Sequence, residues 1–230
     1  MNFGEQRLLI VAPHPDDEVL GCGGLISKVK RNNGKVHVLI MCVGDSHQYG
    51  GKSEAKVRIT EMEKVMRYLK VDSFHLALPG NKFHLKLDMV PQKDLIDVIE
   101  SGDVSIASTK PTIVCIPYRY STHQDHVAVS RASFTACRPV GSKRKIIPPV
   151  VLSYEQPETN WTRTRFHPNF YVDISDHLNK KVTAISKYSS QIRTGSHPRT
   201  IENIKMMAET RGAEVGVSAA EAYECHRFLT

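Results

Sequence analysis

The segment Ala12-Pro13-His14-Pro15-Asp16-Asp17-Glu18 places one imidazole and three carboxylates side by side. Carboxylates crowded in this way repel one another and call for a compensating positive charge, which a divalent cation supplies economically. Farther along, Ser121-Thr122-His123-Gln124-Asp125-His126 adds two imidazoles and another carboxylate. Brought to one crevice, His14, Asp17 and His126 make a set of two imidazoles and one carboxylate, suited to zinc or ferrous iron with positions left open for water and substrate. A closed structural zinc site wants four ligands, usually thiolates, and none of the five cysteines lies in either segment. Each cluster alone has an ordinary explanation, since acids favour the positive end of a helix and histidine pairs are common on surface loops.

Roles follow from spacing. His14 and Asp17, three apart across a loop-to-helix turn, project to one side, as do His123 and His126. Asp16 then lies beside the cation rather than on it, where a carboxylate acts as general base toward water whose pKa the metal lowers to about 7. His123 is expected to face the substrate carbonyl, stabilising the developing oxyanion and helping to protonate a leaving amine. Asp125 is expected to hold the other nitrogen of that ring.

These segments need elements to position them. Arg7–Ala12 reads as a buried strand, Glu18–Lys30 as a helix ended by Asn32-Asn33-Gly34, and Lys35–Val43 as a second buried strand rich in β-branched residues. Gly44–Lys52 is expected to be loop, and Ser53–Leu69 an amphipathic helix. Phe74–Leu78 predicts a short strand, Pro91–Glu100 a helix and Pro111–Pro117 a buried strand. His123–Cys137 predicts a helix, Val150–Tyr154 and Phe170–Val172 strands, and Asp176–Ile192 a long amphipathic helix; the last thirty residues show no clear pattern. Such alternation implies a single α/β domain over residues 1–230, Rossmann-like, with a mostly parallel sheet covered by helices on both faces. Ligands would bind at the carboxyl ends of its strands, which is where both clusters fall.

Composition sets the outer bounds. Of 230 residues, 40% are hydrophobic and 24% charged, which excludes fibrous and disordered classes. No apolar run approaches the roughly 20 residues that span a bilayer, and the opening MNFGEQRLLIVAPHPDDE reaches carboxylates before a signal-peptide core can form, so a cytoplasmic location is expected. The cysteines lack CxxC spacing and are read as free thiols. Lys and Arg number 31 against 24 Asp and Glu, a net +7 that suits an anionic partner. The basic stretches Lys28-Val29-Lys30-Arg31 and Lys143-Arg144-Lys145 carry no interleaved aromatics, so no nucleic-acid partner is expected.

Pro13-His14-Pro15-Asp16-Asp17-Glu18, the following Gly21-Cys22-Gly23-Gly24 and the later His123-Gln124-Asp125-His126 together resemble the LmbE/PIG-L family of zinc-dependent N-acetylsugar deacetylases. The likeness extends to the Arg58-x-x-Glu61 helix, Tyr188-Ser189-Ser190-Gln191, Arg211-Gly212 and Ala219-Ala220-Glu221-Ala222. The resemblance implies that His14, Asp17 and His126 bind zinc, that Asp16 is the base, and that His123 backed by Asp125 acts at the oxyanion. It implies a substrate in which the 2-acetamido group of an N-acetylglucosamine-type sugar or conjugate is hydrolysed, with an anionic aglycone favoured by the basic charge. It also implies that Arg58 reaches the sugar or aglycone, the alternative being a surface salt bridge to Glu61 or Glu54. Family members are often oligomeric, which makes a homo-oligomer compatible with this chain. One departure is Ser121, which stands where many members carry Asp or Tyr.

Three other readings compete. Gly21-Cys22-Gly23-Gly24 invites dinucleotide binding, but Ile26 stands where the third glycine belongs and the carboxylates would repel a pyrophosphate, so close packing of the helix on the sheet is the better account. Asp16 and Asp17 could chelate magnesium in a sugar-nucleotide transferase, yet magnesium prefers oxygen ligands to imidazoles. A catalytically silent metal- or glycan-binding module has no use for Asp16 beside the ligand set. His37, His47, His75, His84, His167, His177, His197 and His226 lack paired ligands in the sequence. Arg193 and His197 read as part of an exposed turn, and Trp161 as a buried aromatic or a sugar platform.

Overall fold

The computed structural model describes residues 2–48, 51–141 and 145–229. Its elements run β1 (Arg7–Ala12), α1 (Asp17–Arg31), β2 (Lys35–Val43), β3 (Ser46–Gln48), β4 (Gly51–Ser53), α2 (Ala55–Leu69), β5 (Ser73–Pro79), α3 (Gln92–Ser101) and the short α4 (Ile106–Thr109). They continue with β6 (Ile113–Pro117), α5 (Gln124–Ala136), β7 (Val150–Tyr154), β8 (Phe170–Asp173), α6 (Leu178–Ser186), α7 (Ile201–Ala213) and β9 (Ala220–Phe228).

One seven-stranded sheet has the order β5-β2-β1-β6-β7-β9-β8. Its first five strands are parallel, while β9 runs antiparallel to both β7 and β8. β1 shows why its sequence is apolar throughout. Leu8, Ile10 and Ala12 enter the core beneath α1, α2, α6 and α7, whereas Leu9 and Val11 enter the core beneath α3 and α5, so helices cover both faces of the strand. The chain leaves β1 toward β2 and β5, then returns to β6 on the other side of β1. That reversal is a topological switch point, and a crevice opens there beyond the carboxyl ends of the strands. Both titratable clusters follow those two strands.

Two expectations are corrected. The 44–52 segment is not simply loop, because β3 and β4 pair antiparallel, with Ser46 opposite Ser53. The helix expected over Asp176–Ile192 is a short 3-10 turn at Ser175–His177 followed by α6, which ends at Ser186. Beyond it the chain turns inward: the Tyr188 hydroxyl donates to Glu18 (2.6 Å), and the Glu61 carboxylate accepts from Ser189 Oγ (2.7 Å), Ser190 N–H (2.9 Å) and Ser190 Oγ (2.6 Å). Those contacts outweigh the helical periodicity. The unpatterned C-terminal stretch forms α7 and β9, the latter paired on both edges.

The glycines of α1 permit close packing. A Cβ on Gly21 would lie 2.3 Å from the Tyr154 ring and one on Gly24 2.5 Å from Ile174. Glu221 of β9 accepts from the Gly24 and Leu25 amides (2.7 and 2.8 Å) and pairs with Lys181 of α6 (2.7 Å), all in the interior. Four of the five cysteines are buried and all are free thiols. Among the described residues, no helix is long and apolar enough to cross a membrane. Lys143 and Arg144 lie outside the described residues, while Lys145 pairs with Glu100 (2.8 Å) and Lys30 with Asp72 (2.6 Å).

Candidate active site

The turn after β1 depends on an unusual backbone. Asp16, the residue preceding α1, has φ 107°, a conformation that ordinarily favours glycine and costs of the order of 1–3 kcal/mol in other residues. Its carbonyl accepts from the Val19 and Leu20 amides, and its side chain makes no helix-capping bond, which leaves the carboxylate for other partners. The same turn brings His14 and Asp17 together: the His14 N–H donates to Asp17 Oδ2 (2.9 Å), and His14 Nδ1 lies 3.6 Å from that oxygen. His126, in the first turn of α5, places Nε2 3.2 Å from Asp17 Oδ2.

His14, Asp17 and His126 are all buried, and one ligand atom from each lies within 4.8 Å of the others. The residues behind them supply the kind of supporting bonds that orient a metal ligand. The Asp125 carboxylate bonds His14 Nε2 (2.8 Å), orienting the ring, and Gln156 Nε2 donates to Asp17 Oδ1 (2.6 Å). Burial opposes charge on His14, yet its bonds to Asp125 and Asp17 hold its pKa well above the usual imidazole value; the site favours positive charge at this point. Burial likewise works against ionisation of Asp17, but His126 and His14 keep it well below the usual carboxylate range. Donor chemistry, mutual distance and supporting bonds all fit a divalent cation of the zinc type. Cys42, His84, Asp125 and His14 form a second group of close ligand atoms. There the Asp125 carboxylate already accepts from His14 and from the Leu85 and Leu87 amides (3.0 and 2.9 Å).

The three acids of the first segment have separate environments. Burial raises Asp16 to about 6 against the pull of Arg199, whose Nη1 donates to Asp16 Oδ2 (2.9 Å). Burial raises Glu18 to about 8 despite its bond from Tyr188, so Glu18 is largely protonated at neutral pH and adds little repulsion. Only Asp17 is firmly ionised. Environments that push neighbouring carboxyls apart in this way assign them different tasks.

His123 caps α5, with its Nδ1 accepting the Asp125 backbone N–H (3.2 Å). This corrects the expected pairing, because the Asp125 carboxylate turns to His14 and only its amide reaches His123. Burial and the nearby charges of His126 and His14 push His123 down to about 3, so the ring is neutral. With Nδ1 accepting, its proton resides on Nε2. The ring centroid is 5.0 Å from that of His14 and 4.9 Å from that of His126. Ser121 accepts the His123 N–H (3.2 Å), giving the departing position a local backbone partner.

Arg58 is buried and donates to the Gly44 carbonyl (3.3 Å), while its Nε has no partner. The surface salt bridge to Glu61 is not formed, since Glu61 is engaged by Ser189 and Ser190. Arg58, His84 and Arg199 join His14, Asp16, His123 and His126 around a cavity of about 40 Å³.

Sequence reasoning missed three residues here. Gln156 stands just past the carboxyl end of β7, a position the strand-end rule would have flagged. Arg199 belongs to the same loop as Arg193 and His197; His197 Nδ1 accepts the Arg199 N–H (3.0 Å), so the loop delivers Arg199 to Asp16 rather than forming only an exposed turn. His84 is edge-on to His14 at 5.3 Å, and both its ring nitrogens are buried without a partner. No spacing signalled it.

Two histidines and a carboxylate at the switch point of a doubly wound sheet define a candidate metal centre on a Rossmann-like scaffold. The chain belongs to the PIG-L family, described as GlcNAc-PI de-N-acetylase, whose family model matches residues 9–137. It is 28% identical over 187 residues to the uncharacterized deacetylase YaiS of Escherichia coli (strain K12), covering 80% of this chain and 90% of that protein. It is 26% identical over 198 residues to the diacetylchitobiose deacetylase of Thermococcus kodakarensis, covering 81% of this chain and 70% of the relative. Among solved structures, the conserved protein TT1542 from Thermus thermophilus superposes with a TM-score of 0.73 at 27% identity, covering 95% of this chain and 93% of that one.

Proposed function

We propose that this protein is a zinc-dependent hydrolase that removes the acetyl group from the 2-acetamido position of an N-acetylglucosamine-type sugar or sugar conjugate. The observation that carries the reading is the buried triangle of His14, Asp17 and His126 with the Asp16 carboxylate beside it. Family membership and relatives named as deacetylases support the same reaction class.

His14, Asp17 and His126 would hold zinc, or ferrous iron, which supplies a Lewis acid that acidifies water and polarises the amide carbonyl. Asp16, fixed at Oδ2 by Arg199, accepts the proton of the attacking water. His123 offers its Nε2–H to the oxygen that gains charge as the amide carbon becomes tetrahedral, a donor role for which a neutral ring suffices. Cleavage of the C–N bond then releases acetate and the free amine, with the proton held by Asp16 passing to nitrogen. Arg58 and His84 line the same small cavity, where they are positioned to hydrogen-bond the acetamido group.

The reading is tested by metal analysis of the purified protein together with acetate release from N-acetylated hexosamine conjugates before and after chelation. About one zinc per chain and chelator-sensitive acetate release are expected for a single catalytic site. Zinc-loaded protein that releases no acetate from the whole panel would favour the silent binding module.

A further inference from the structure

A second, far larger concavity adjoins the candidate catalytic cavity and has no part in the chemistry proposed above. The catalytic cavity, at about 40 Å³, holds no more than about three waters, which is the scale of an acetamido group and not of a sugar ring. The neighbouring groove measures about 740 Å³, within the range of small-molecule sites. The two linings are neighbours in the chain. Thr122 of the groove precedes His123, Pro198 precedes Arg199 in the chain, and Glu158 pairs with Arg199, which bonds Asp16.

The groove carries an exposed indole. Trp161 is 82% exposed, which rules out the buried-aromatic reading of this residue, and its backbone is fixed by a bond from its N–H to the Glu158 carbonyl (3.1 Å). Met206 of α7 is also exposed within the lining. The charged side chains of the lining are already engaged. Arg211 pairs with Glu155 through Nε (2.8 Å) and with Glu214 (2.6 Å), and Glu158 pairs with Arg199. The chain's net +7 is therefore not presented here, and an anionic aglycone gains little from this surface. An exposed aromatic face amid neutralised charges and the hydroxyls of Thr122, Ser196 and Thr210 suits a pyranose, whose C–H face packs on an indole while its rim hydrogen-bonds.

We infer that this groove is the aglycone subsite and that it takes an uncharged second sugar ring stacked on Trp161. The inference rests on the deacetylase reading for its orientation: the acetylated ring faces His123 and Asp16, and the next ring lies on Trp161.

The test uses zinc-loaded protein and four probes: N-acetylglucosamine, its 1-phosphate, its octyl glycoside and N,N'-diacetylchitobiose. The disaccharide is expected to have the highest kcat/KM. Trp161→Ala should lower the ratio of disaccharide to monosaccharide kcat/KM by about 3- to 10-fold, the scale of one aromatic contact, with Trp161→Phe recovering part of it. A purely structural role for this exposed residue would not move that ratio. Preference for the 1-phosphate or the octyl glycoside, or a ratio unchanged by Trp161→Ala, overturns the assignment. Trp161 is the single tryptophan of the chain, so its fluorescence reports on the groove without turnover. If no probe releases acetate, the deacetylase reading fails by itself. A saturable fluorescence change with the disaccharide then supports the subsite, and no change with any probe refutes it.

Discussion

Replacing Asp125 by Asn separates the role expected from sequence from the one the structure assigns. The Asp125 carboxylate accepts from His14 Nε2 (2.8 Å), Leu85 N–H (3.0 Å) and Leu87 N–H (2.9 Å), while only its backbone amide touches His123. Asn preserves the side-chain shape and the helix amide. It also replaces one acceptor oxygen with an NH₂ that must face a donor and removes the charge that favours a basic His14. Loss of such a supporting carboxylate weakens metal binding about 10- to 100-fold, which corresponds to about 1.4–2.7 kcal/mol. Zinc affinity measured by competition with a chromophoric chelator should show that loss. His123→Ala should retain zinc affinity while turnover falls about 10²–10³-fold, as for one oxyanion donor. A thermal melt of each variant controls for unfolding, since the Leu85 and Leu87 bonds also anchor their loop. Had the carboxylate served His123 instead, Asp125→Asn would mimic His123→Ala: zinc affinity intact, turnover lost. That pattern would refute the assignment made from the geometry.

Three further outcomes follow from other parts of the structure. Asp16→Asn should keep its zinc and lose about 10²–10⁴-fold in turnover, whereas His126→Ala should lose both; near wild-type turnover in the first would remove Asp16 from the base role. Lys181→Met leaves Glu221 as an unpaired charge in the interior and should destabilise the fold by about 3–5 kcal/mol, read as a lower urea midpoint; an unshifted midpoint would contradict the buried pairing. Burial opposes ionisation of Asp72, but bonds from Lys30, the Val36 N–H and Lys35 hold it down to about 2. A carboxyl depressed in the folded state contributes stability that is complete above its unfolded pKa and disappears as pH falls through the folded one. Between about pH 4 and pH 2 the wild type should therefore lose stability that Asp72→Asn lacks throughout, about 1 kcal/mol once solvent screening of these surface pairs is counted, and parallel pH profiles for the two in denaturant titrations would count against it.

The boundaries of β1, β2 and β7 agree with the sequence reading because each is a short apolar run buried on both faces, a pattern that needs no distant information. The helical periods of α1 and α2 are legible from local spacing, and the helix expected over His123–Cys137 is present as α5, so both titratable segments fall at strand ends as read. The residue types of His14, Asp17 and His126 suggest a candidate metal-binding set before any fold is known. The premature end of α6 is not legible, since its cause is the capture of Tyr188, Ser189 and Ser190 by Glu18 and Glu61 from other helices. The site's supporting bonds lie beyond any local pattern. His14 meets Asp125 across 111 residues, Asp17 meets Gln156 across 139, and Asp16 meets Arg199 across 183. Sequence spacing states which groups can share a turn. The direction of a carboxylate at that turn depends on donors that only the folded sheet brings near, which is why Asp125 reads as the partner of its neighbour in sequence and belongs, in space, to His14.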